Sequence, residues 1–340
     1  MRYNRRNLIL SIIVILFLAF LVGYQLPFYI YKPGGADALN PVVQVDGGHE
    51  SAGDMHLVTV RGGQATPLQY LWASFMPHQD IHPLSEIFPE GITQEEYFQA
   101  QLQMMESSQE ASIVVAYEAA NKQIEIEYEG VYVVAVIEGM PAEGILQSGD
   151  KILSVDHLSI QQTDELIDYV GEKKAGTTIS ITIEREGDQI TEDITLEAFP
   201  ELENKVGMGV QLVTDRTVTE NPNVEFKSGN IGGPSAGLMF SLEIYDQLTE
   251  RDITNGLQIA GTGEVDYEGN VGRIGGIDKK VIAADEEGCD VFFAPNENGS
   301  ENSNFRVATE TAKEIGSEMT IVPVDTFEDA LEYLEGIEGK

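Results

Sequence analysis

The chain has one cysteine, Cys289, among 340 residues, so no disulfide can close within it. Cations are also few: 20 Lys and Arg stand against 57 Asp and Glu, a net charge of −37. A surface of that sign repels phosphate backbones and excludes nucleic acid as a partner. No G-x-x-x-x-G-K-[ST] stretch occurs, so no loop of that type is present to cradle ATP. The histidines are His49, His56, His78, His82 and His157, and none lies in the second half of the chain. His78 and His82 have ligand spacing on a helix, but Pro77 and Pro83 bracket them, which predicts a loop in place of a zinc pair. No metal and no cofactor is expected. Cys289, just before Asp290-Val291-Phe292-Phe293, reads as a small residue leading into a strand.

What the chain does have starts at its N-terminus. Arg2, Arg5 and Arg6 precede a run from Leu8 to Val22 without a charge, and the charge-free stretch extends to Tyr31. A bilayer core takes about 20 helical residues, so residues 7–31 are expected to form one transmembrane helix, with Tyr24, Phe28 and Tyr29 as an aromatic belt. No small-x-small cleavage site ends the run. Basic residues before the helix and acids after it place residues 1–6 in the cytoplasm and the remainder outside. The Gly/Pro-rich segment 32–41 reads as a linker. In 42–123, Met55 to Arg61 reads as a strand, and Thr93-Gln94-Glu95-Glu96 is a capping box that opens a helix to about Ala120. From about 124 to 200 the pattern turns to short strands, at Val131–Val136, Lys151–Val155 and Thr178–Ile183, with one helix from Gln162 to Glu172. From 201 to 340 strands alternate with helices, which fits an α/β domain.

Within that last segment, Gly233-Pro234-Ser235-Ala236-Gly237 fits G-x-S-x-G, a sharp turn that lifts a serine hydroxyl in front of a helix. A structural Gly-rich turn remains the alternative. If Ser235 is a nucleophile, it needs a base. No histidine follows it, which excludes the order Ser, acid, His; an upstream His49 or His56 would fit other orders, although neither has a distinguishing context. Leu238 stands where S-x-x-K needs its lysine. A Ser-Lys pair is the remaining option. In Ile277 to Ala284, positions 277, 280, 281 and 284 share one helical face, which puts Lys280 on the apolar side. Lys279 shares its face with Ala283 and Glu286 and reads as solvated. A lysine snorkelling from the core edge is the other account of Lys280.

At these residues the chain resembles the proteolytic domain of Lon proteases. Pro234-Ser235-Ala236-Gly237 is similar to that family's nucleophile motif, and Gly275-Gly276-Ile277-Asp278-Lys279-Lys280 to its lysine motif. Gly261-Thr262-Gly263-Glu264 resembles the segment whose threonine orients the lysine. The resemblance implies a catalytic Ser235 and Lys280, supported by Thr262, Gly233, Pro234 and Ala236. One departure is Gly232, where the family often has an aspartate.

The stretch Gly139-Met140-Pro141-Ala142-Glu143 with Gly149-Asp150-Lys151-Ile152-Leu153-Ser154-Val155 resembles a PDZ domain of bacterial proteases, which captures a peptide by adding it to a sheet edge. That resemblance implies a carboxylate loop near Gly130, Val131 and Tyr132, and a groove lined by Leu166 and Val170. Taken together, the chain resembles the membrane-anchored, PDZ-containing Lon-like proteases of Gram-positive bacteria. The implied fold is α/β (α+β), a Lon-type domain plus a small β-rich PDZ domain behind one transmembrane helix. The implied function is an ATP-independent serine endopeptidase at the cell membrane that cleaves secreted or surface peptides and proteins. A homo-oligomer is left open, and a catalytically silent PDZ adaptor or chaperone is the alternative.

Overall fold

The computed structural model describes residues 5–88, 93–199 and 205–337. The chain divides into two compact units, one of residues 1–124 with 220–340 and one of residues 125–219. The larger unit opens with α1 (Arg5–Gly23), β1 (Phe28–Ala38), β2 (Val43–Val45), β3 (Asp54–Gln64), α2 (Pro67–Ala73), β4 (Asp80–Pro83), α3 (Leu84–Ile87) and α4 (Gln94–Ala119). Next, β5 (Gln123–Val136) leads into the smaller unit, with β6 (Lys151–Val155), β7 (Leu158–Ser159), α5 (Thr163–Gly171), β8 (Thr178–Arg185), β9 (Asp188–Thr195), β10 (Glu197–Ala198) and β11 (Val206–Gly207). The chain returns in β12 (Val210–Asn221) and continues with β13 (Val224–Phe226), α6 (Gly237–Leu248), β14 (Gln258–Gly261), β15 (Glu264–Val265) and β16 (Val271–Gly272). It ends with α7 (Ile277–Glu287), β17 (Val291–Pro295), α8 (Asn304–Ile315), β18 (Thr320–Val324) and α9 (Phe327–Gly336).

A mixed sheet in the order β18-β17-β14-β3-β1-β4 organises the larger unit. Its β3, β14, β17 and β18 pair in parallel, whereas β1 runs antiparallel to both β3 and β4. Alternate residues of a strand face opposite sides, and the two sides receive different helices. Val58, Ala260 and Phe292 pack with Ile277, Val281 and Ala284 of α7 and Ala308 of α8. On the other side Gly261 meets α6: a Cβ there would lie 2.7 Å from the Met239 sulfur and 2.9 Å from Phe293 Cβ. Glycine therefore lets α6 close on the sheet at the strand end that delivers Thr262. The expected capping box forms at α4, where the Thr93 side chain accepts from the Glu96 N–H and the Glu96 carboxylate from the Thr93 N–H. Two donors that a helix start leaves without an intrahelical partner are satisfied there.

The N-terminal expectation needs correction. The first helix ends at Gly23, and Phe28 to Tyr31 belong to β1, where Tyr29 pairs with both Gln64 and His82. Its 19 residues reach about 28 Å, just under the bilayer core, and two of them are Arg5 and Arg6. Among the described residues no helix is long and apolar enough to cross a membrane. Residues 1–4, part of the expected cytoplasmic segment, lie outside the described residues.

The smaller unit has a sheet in the order β12-β5-β6-β8-β9, closed by α5 over a core that includes Val131, Ile152, Leu166, Val170 and Ile181. It runs to Thr219, past the boundary expected at 200, and residues 200–204 lie outside the described residues. The predicted peptide groove also needs correction. Gly130, Val131 and Tyr132 sit in β5, an interior strand flanked by β12 and β6, with Val131 opposite Ile152 and Tyr132 opposite Lys151. Both edges of that strand are occupied, so no peptide can add there. Val131 is fully buried, and Leu166 and Val170 are core residues. On that side of the sheet β12 is the edge strand, and α5 reaches it through a hydrogen bond from the Thr163 N–H to the Thr214 hydroxyl at 2.9 Å.

Candidate active site

Ser235 lies in the turn before α6, and two elements hold that turn. From α4, the Gln101 carbonyl accepts from the Gly233 N–H at 2.7 Å, and the Ser108 hydroxyl donates to the Pro234 carbonyl at 2.8 Å. Ser112, one helical turn on, donates to the Gly237 carbonyl at 3.0 Å. From the loop after β14, the Gly263 N–H and the Thr262 hydroxyl both donate to the Ser235 carbonyl, at 3.0 and 2.9 Å. Gly233 adopts φ +92°, a region costly for any residue with a Cβ. At Gly232 a Cβ would come within 2.8 Å of Gln101 Cβ. This close approach of α4 is a steric reason for glycine where an aspartate was noted as absent. Pro234 is half-buried beside Ser235, and Ala236 is buried at the start of α6. Gln101, Ser108 and Ser112 have no motif in the sequence, and only the α4–α6 packing reveals them.

Lys280 comes from the first turn of α7, behind the left-handed Gly276. Its face carries Ile277, Val281 and Ala284 into the sheet, as the helical phase predicted, and Lys280 itself is 4 % exposed. The Nζ lies 2.7 Å from Ser235 Oγ and 2.9 Å from Thr262 Oγ1. Burial lowers its pKa to about 7. An ammonium out of water loses hydration that these two hydroxyls replace only in part.

Lys279 is not solvated as expected. It is 2 % exposed and ion-paired with Asp80 of β4 and with Asp278, the latter at 2.9 Å. Burial works to lower its pKa, but the hydrogen bonds and charges of Asp80 and Asp278 outweigh it and the net shift is upward. The two neighbouring lysines are thus pushed in opposite directions, because one has carboxylates and the other only hydroxyls. Helical phase alone could not show this, as Asp80 lies 199 residues away.

Ser235 and Lys280 open on a cleft of about 1050 Å³. Tyr29, Tyr31, Tyr97, Phe98 and Met105 give it an apolar wall, and Asp37, Asp80, Glu86 and Glu264 line it with acid. Burial, then Tyr97 and Tyr29, raise the Tyr31 pKa to about 12, so this hydroxyl stays neutral. Burial likewise raises the Glu264 pKa, helped by Asp266. His78 sits at φ +57° before β4, and His82 pairs with Glu86; among the described residues no cluster of His, Cys, Asp and Glu could hold a metal ion. Cys289 is buried, which raises its pKa to about 12.

Comparison with known proteins matches this arrangement in two pieces. Residues 217–335 match the C-terminal proteolytic domain of Lon protease (S16), the domain of a serine hydrolase, and residues 101–196 match a PDZ domain. The PDZ match begins inside α4, which packs in the larger unit. Lon protease of Aster yellows witches'-broom phytoplasma is 33% identical over 97 residues, 28% of this chain and 11% of that protein. Lon protease of Campylobacter jejuni is 35% identical over 101 residues, 30% of this chain and 12% of that protein. The matched region thus spans only about an eighth of these relatives. Among solved structures, the PDZ domain of the SdrC-like protein of Listeria monocytogenes is 34% identical, covering 26% of this chain and 93% of its own, at a TM-score of 0.25. The two family matches alone give the chain a Lon-type proteolytic domain and a PDZ-type domain.

Proposed function

We propose that this chain is a serine endopeptidase with a Ser235–Lys280 dyad that works without ATP on peptide or protein substrates. The observation that carries this reading is the 2.7 Å contact between Lys280 Nζ and Ser235 Oγ, made by an amine whose pKa lies near 7. The Thr262 hydroxyl spends its proton on the Ser235 carbonyl and so accepts from Lys280. This leaves the lone pair of the neutral amine to face the Ser235 hydroxyl. Lys280 then takes that proton as Ser235 Oγ attacks the scissile carbonyl, and returns it to the leaving amine. Backbone N–H groups in the turn that leads into α6, with its helix dipole, hold the oxyanion. Water, deprotonated by Lys280, releases the acyl group. No step needs a nucleotide, and the sequence has no phosphate-binding loop of the G-x-x-x-x-G-K-[ST] type.

Substrate capture falls to the PDZ-type unit, in which β12 is the strand able to accept an extended peptide beside α5. We further propose that α1 holds the chain to a membrane with the catalytic unit on the exterior side. The exposed apolar side chains from Ile9 to Val22, and the basic residues before them, support this. Release of a chain lacking residues 5–23 into the soluble fraction tests it. A fluorophosphonate probe tests the dyad: labelling should map to Ser235, disappear in Ser235→Ala and nearly disappear in Lys280→Met. Labelling elsewhere, or undiminished in Lys280→Met, favours a silent adaptor or chaperone.

A further inference from the structure

In the larger unit, α2 is amphipathic in the reverse of the usual sense. Its inner residues Tyr70 and Ala73 pack on Ile30 and Ala65. Leu68, Leu71 and Trp72, with Phe75 in the turn that follows the helix, point outward and are 48, 59, 61 and 76 % exposed. Their spacing of i, i+3, i+4 and i+7 makes one continuous stripe. Isolated exposed apolar residues need no explanation, but four large ones on one face mark a surface that meets something apolar. The Thr66 capping box and Pro67 at the helix start fix the element, so the stripe is a built feature and not a frayed loop.

Two observations identify the occupant. First, α2 packs against α1, whose exposed side chains from Ile9 to Phe20 are apolar except Ser11, so one medium has to cover both helices. Second, the charge pattern changes here. Acids make up one residue in six of the chain, yet residues 1–36 and 55–79 contain none, while Arg2, Arg5, Arg6, Lys32 and Arg61 fall within them. The acid-free parts of the sequence thus supply α1, α2 and most of β1 and β3. A second copy would bring another body of net charge −37 against this one, which like-charge repulsion opposes. A bilayer covers a helix on all sides, accepts Trp, Phe and Leu at its interface, and tolerates this face even with anionic headgroups.

We propose that α2 docks on a lipid bilayer through Leu68, Leu71, Trp72 and Phe75, as a second contact beside α1. The inference rests on the reading of α1 as the membrane attachment. It carries a consequence for the substrate class. Asp80, in the cleft wall, follows Phe75 by five residues, at most about 18 Å of chain. Docking of α2 therefore holds this wall of the cleft within about 18 Å of the docked face, near chain segments that leave or lie on the bilayer.

Trp72 is the only tryptophan in the chain, so its fluorescence reports on this face alone. The full chain is mixed with vesicles of phosphatidylcholine and phosphatidylglycerol, with and without bromine on the upper acyl chain, and floated on a density gradient. The chain is expected to float, with Trp72 emission blue-shifted, mostly quenched by brominated lipid and shielded from aqueous iodide. In Leu68→Glu/Leu71→Glu, which changes only exposed positions, bromine quenching should fall several-fold while flotation persists. Floating chain with iodide-quenched, bromine-insensitive Trp72 overturns the docking of α2 and leaves attachment by α1 standing. A blue shift without bromine quenching that dilution reverses means a second copy covers the face, and also overturns it. If the chain does not float, attachment by α1 is wrong; bromine quenching in excess vesicles then still supports the docking of α2, and its absence overturns it.

Discussion

Replacing Lys280 by methionine removes the amine but keeps most of the volume on the Ile277/Val281/Ala284 face. A depression from 10.5 to about 7 means that burial disfavours the ammonium by roughly 5 kcal/mol, at about 1.36 kcal/mol per pKa unit. Two measurable consequences follow. Hydrolysis of a short unstructured peptide should rise about tenfold per pH unit below 7 and level off above it, since only neutral Lys280 accepts the Ser235 proton. Lys280→Met should lose at least about 10³-fold in kcat, the upper part of the range for a positioned base. The second consequence is thermodynamic. Between pH 7 and 10.5 the unfolded chain holds a proton on this lysine and the folded chain does not, so this group makes stability rise with pH across that window and become flat below it. Urea unfolding at pH 7 and 9.5 should show this rise in the wild type and lose it in Lys280→Met. At pH 7 the variant should be the more stable by up to a few kcal/mol, after about 1 kcal/mol is deducted for each lost hydrogen bond. A peptidase rate independent of pH between 6 and 9, together with equal slopes of stability in the two proteins, would refute the reasoning.

Other consequences concern the surroundings of the dyad. Burial raises the Glu243 pKa to about 7, with the nearby Asp246 and Asp54 adding to the shift and Gln247 opposing it; its neutral form is favoured in the fold, so stability falls as pH rises from about 4.5 to 7. Glu243→Gln should therefore stabilise the protein by about 2 to 3 kcal/mol at pH 8 and by little at pH 4, in parallel thermal melts. Lys279→Met leaves Asp80 and Asp278 without their cation and should cost roughly 1 to 3 kcal/mol, below the usual range for a buried pair because Asp80 is half exposed. Its peptidase rate should keep the acid limb near pH 7; disappearance of that limb would assign the base to Lys279. Gly261→Ala forces Met239 and Phe293 apart and should cost about 1 to 3 kcal/mol in urea unfolding, with loss of turnover as Thr262 moves.

Local signals served the sequence reading well where the chemistry is local. The G-x-S-x-G turn, the phase that sets Lys280 on the apolar face, and the Thr93 capping box each occupy fewer than ten residues, and the structure places Ser235, Thr262 and Lys280 within hydrogen-bond reach of one another. What stayed hidden depends on partners far along the chain. Lys279 is buried because β4 brings Asp80 to it, and nothing near residue 279 announces that. Gly130 to Tyr132 were expected in a carboxylate loop but lie in an interior strand, because the pairing of β12 with β5 joins segments some 80 residues apart. The charge-free run to Tyr31 hid a change from helix to strand, since Phe28, Tyr29 and Ile30 suit a β-sheet as well as a membrane boundary. The mixed α/β character was legible, whereas the assembly of one sheet from both ends of the chain was not.

The claim that this is a peptidase acting through Ser235 is tested most directly by digestion of an intrinsically unfolded protein. Full-length wild type and Ser235→Ala are incubated with it at pH 8, with and without ATP and Mg²⁺, and new peptide termini are counted by mass spectrometry. The account predicts internal cleavages by the wild type, at the same rate with or without nucleotide, and none by Ser235→Ala. Equal cleavage by the two proteins, or no cleavage by either, would contradict it.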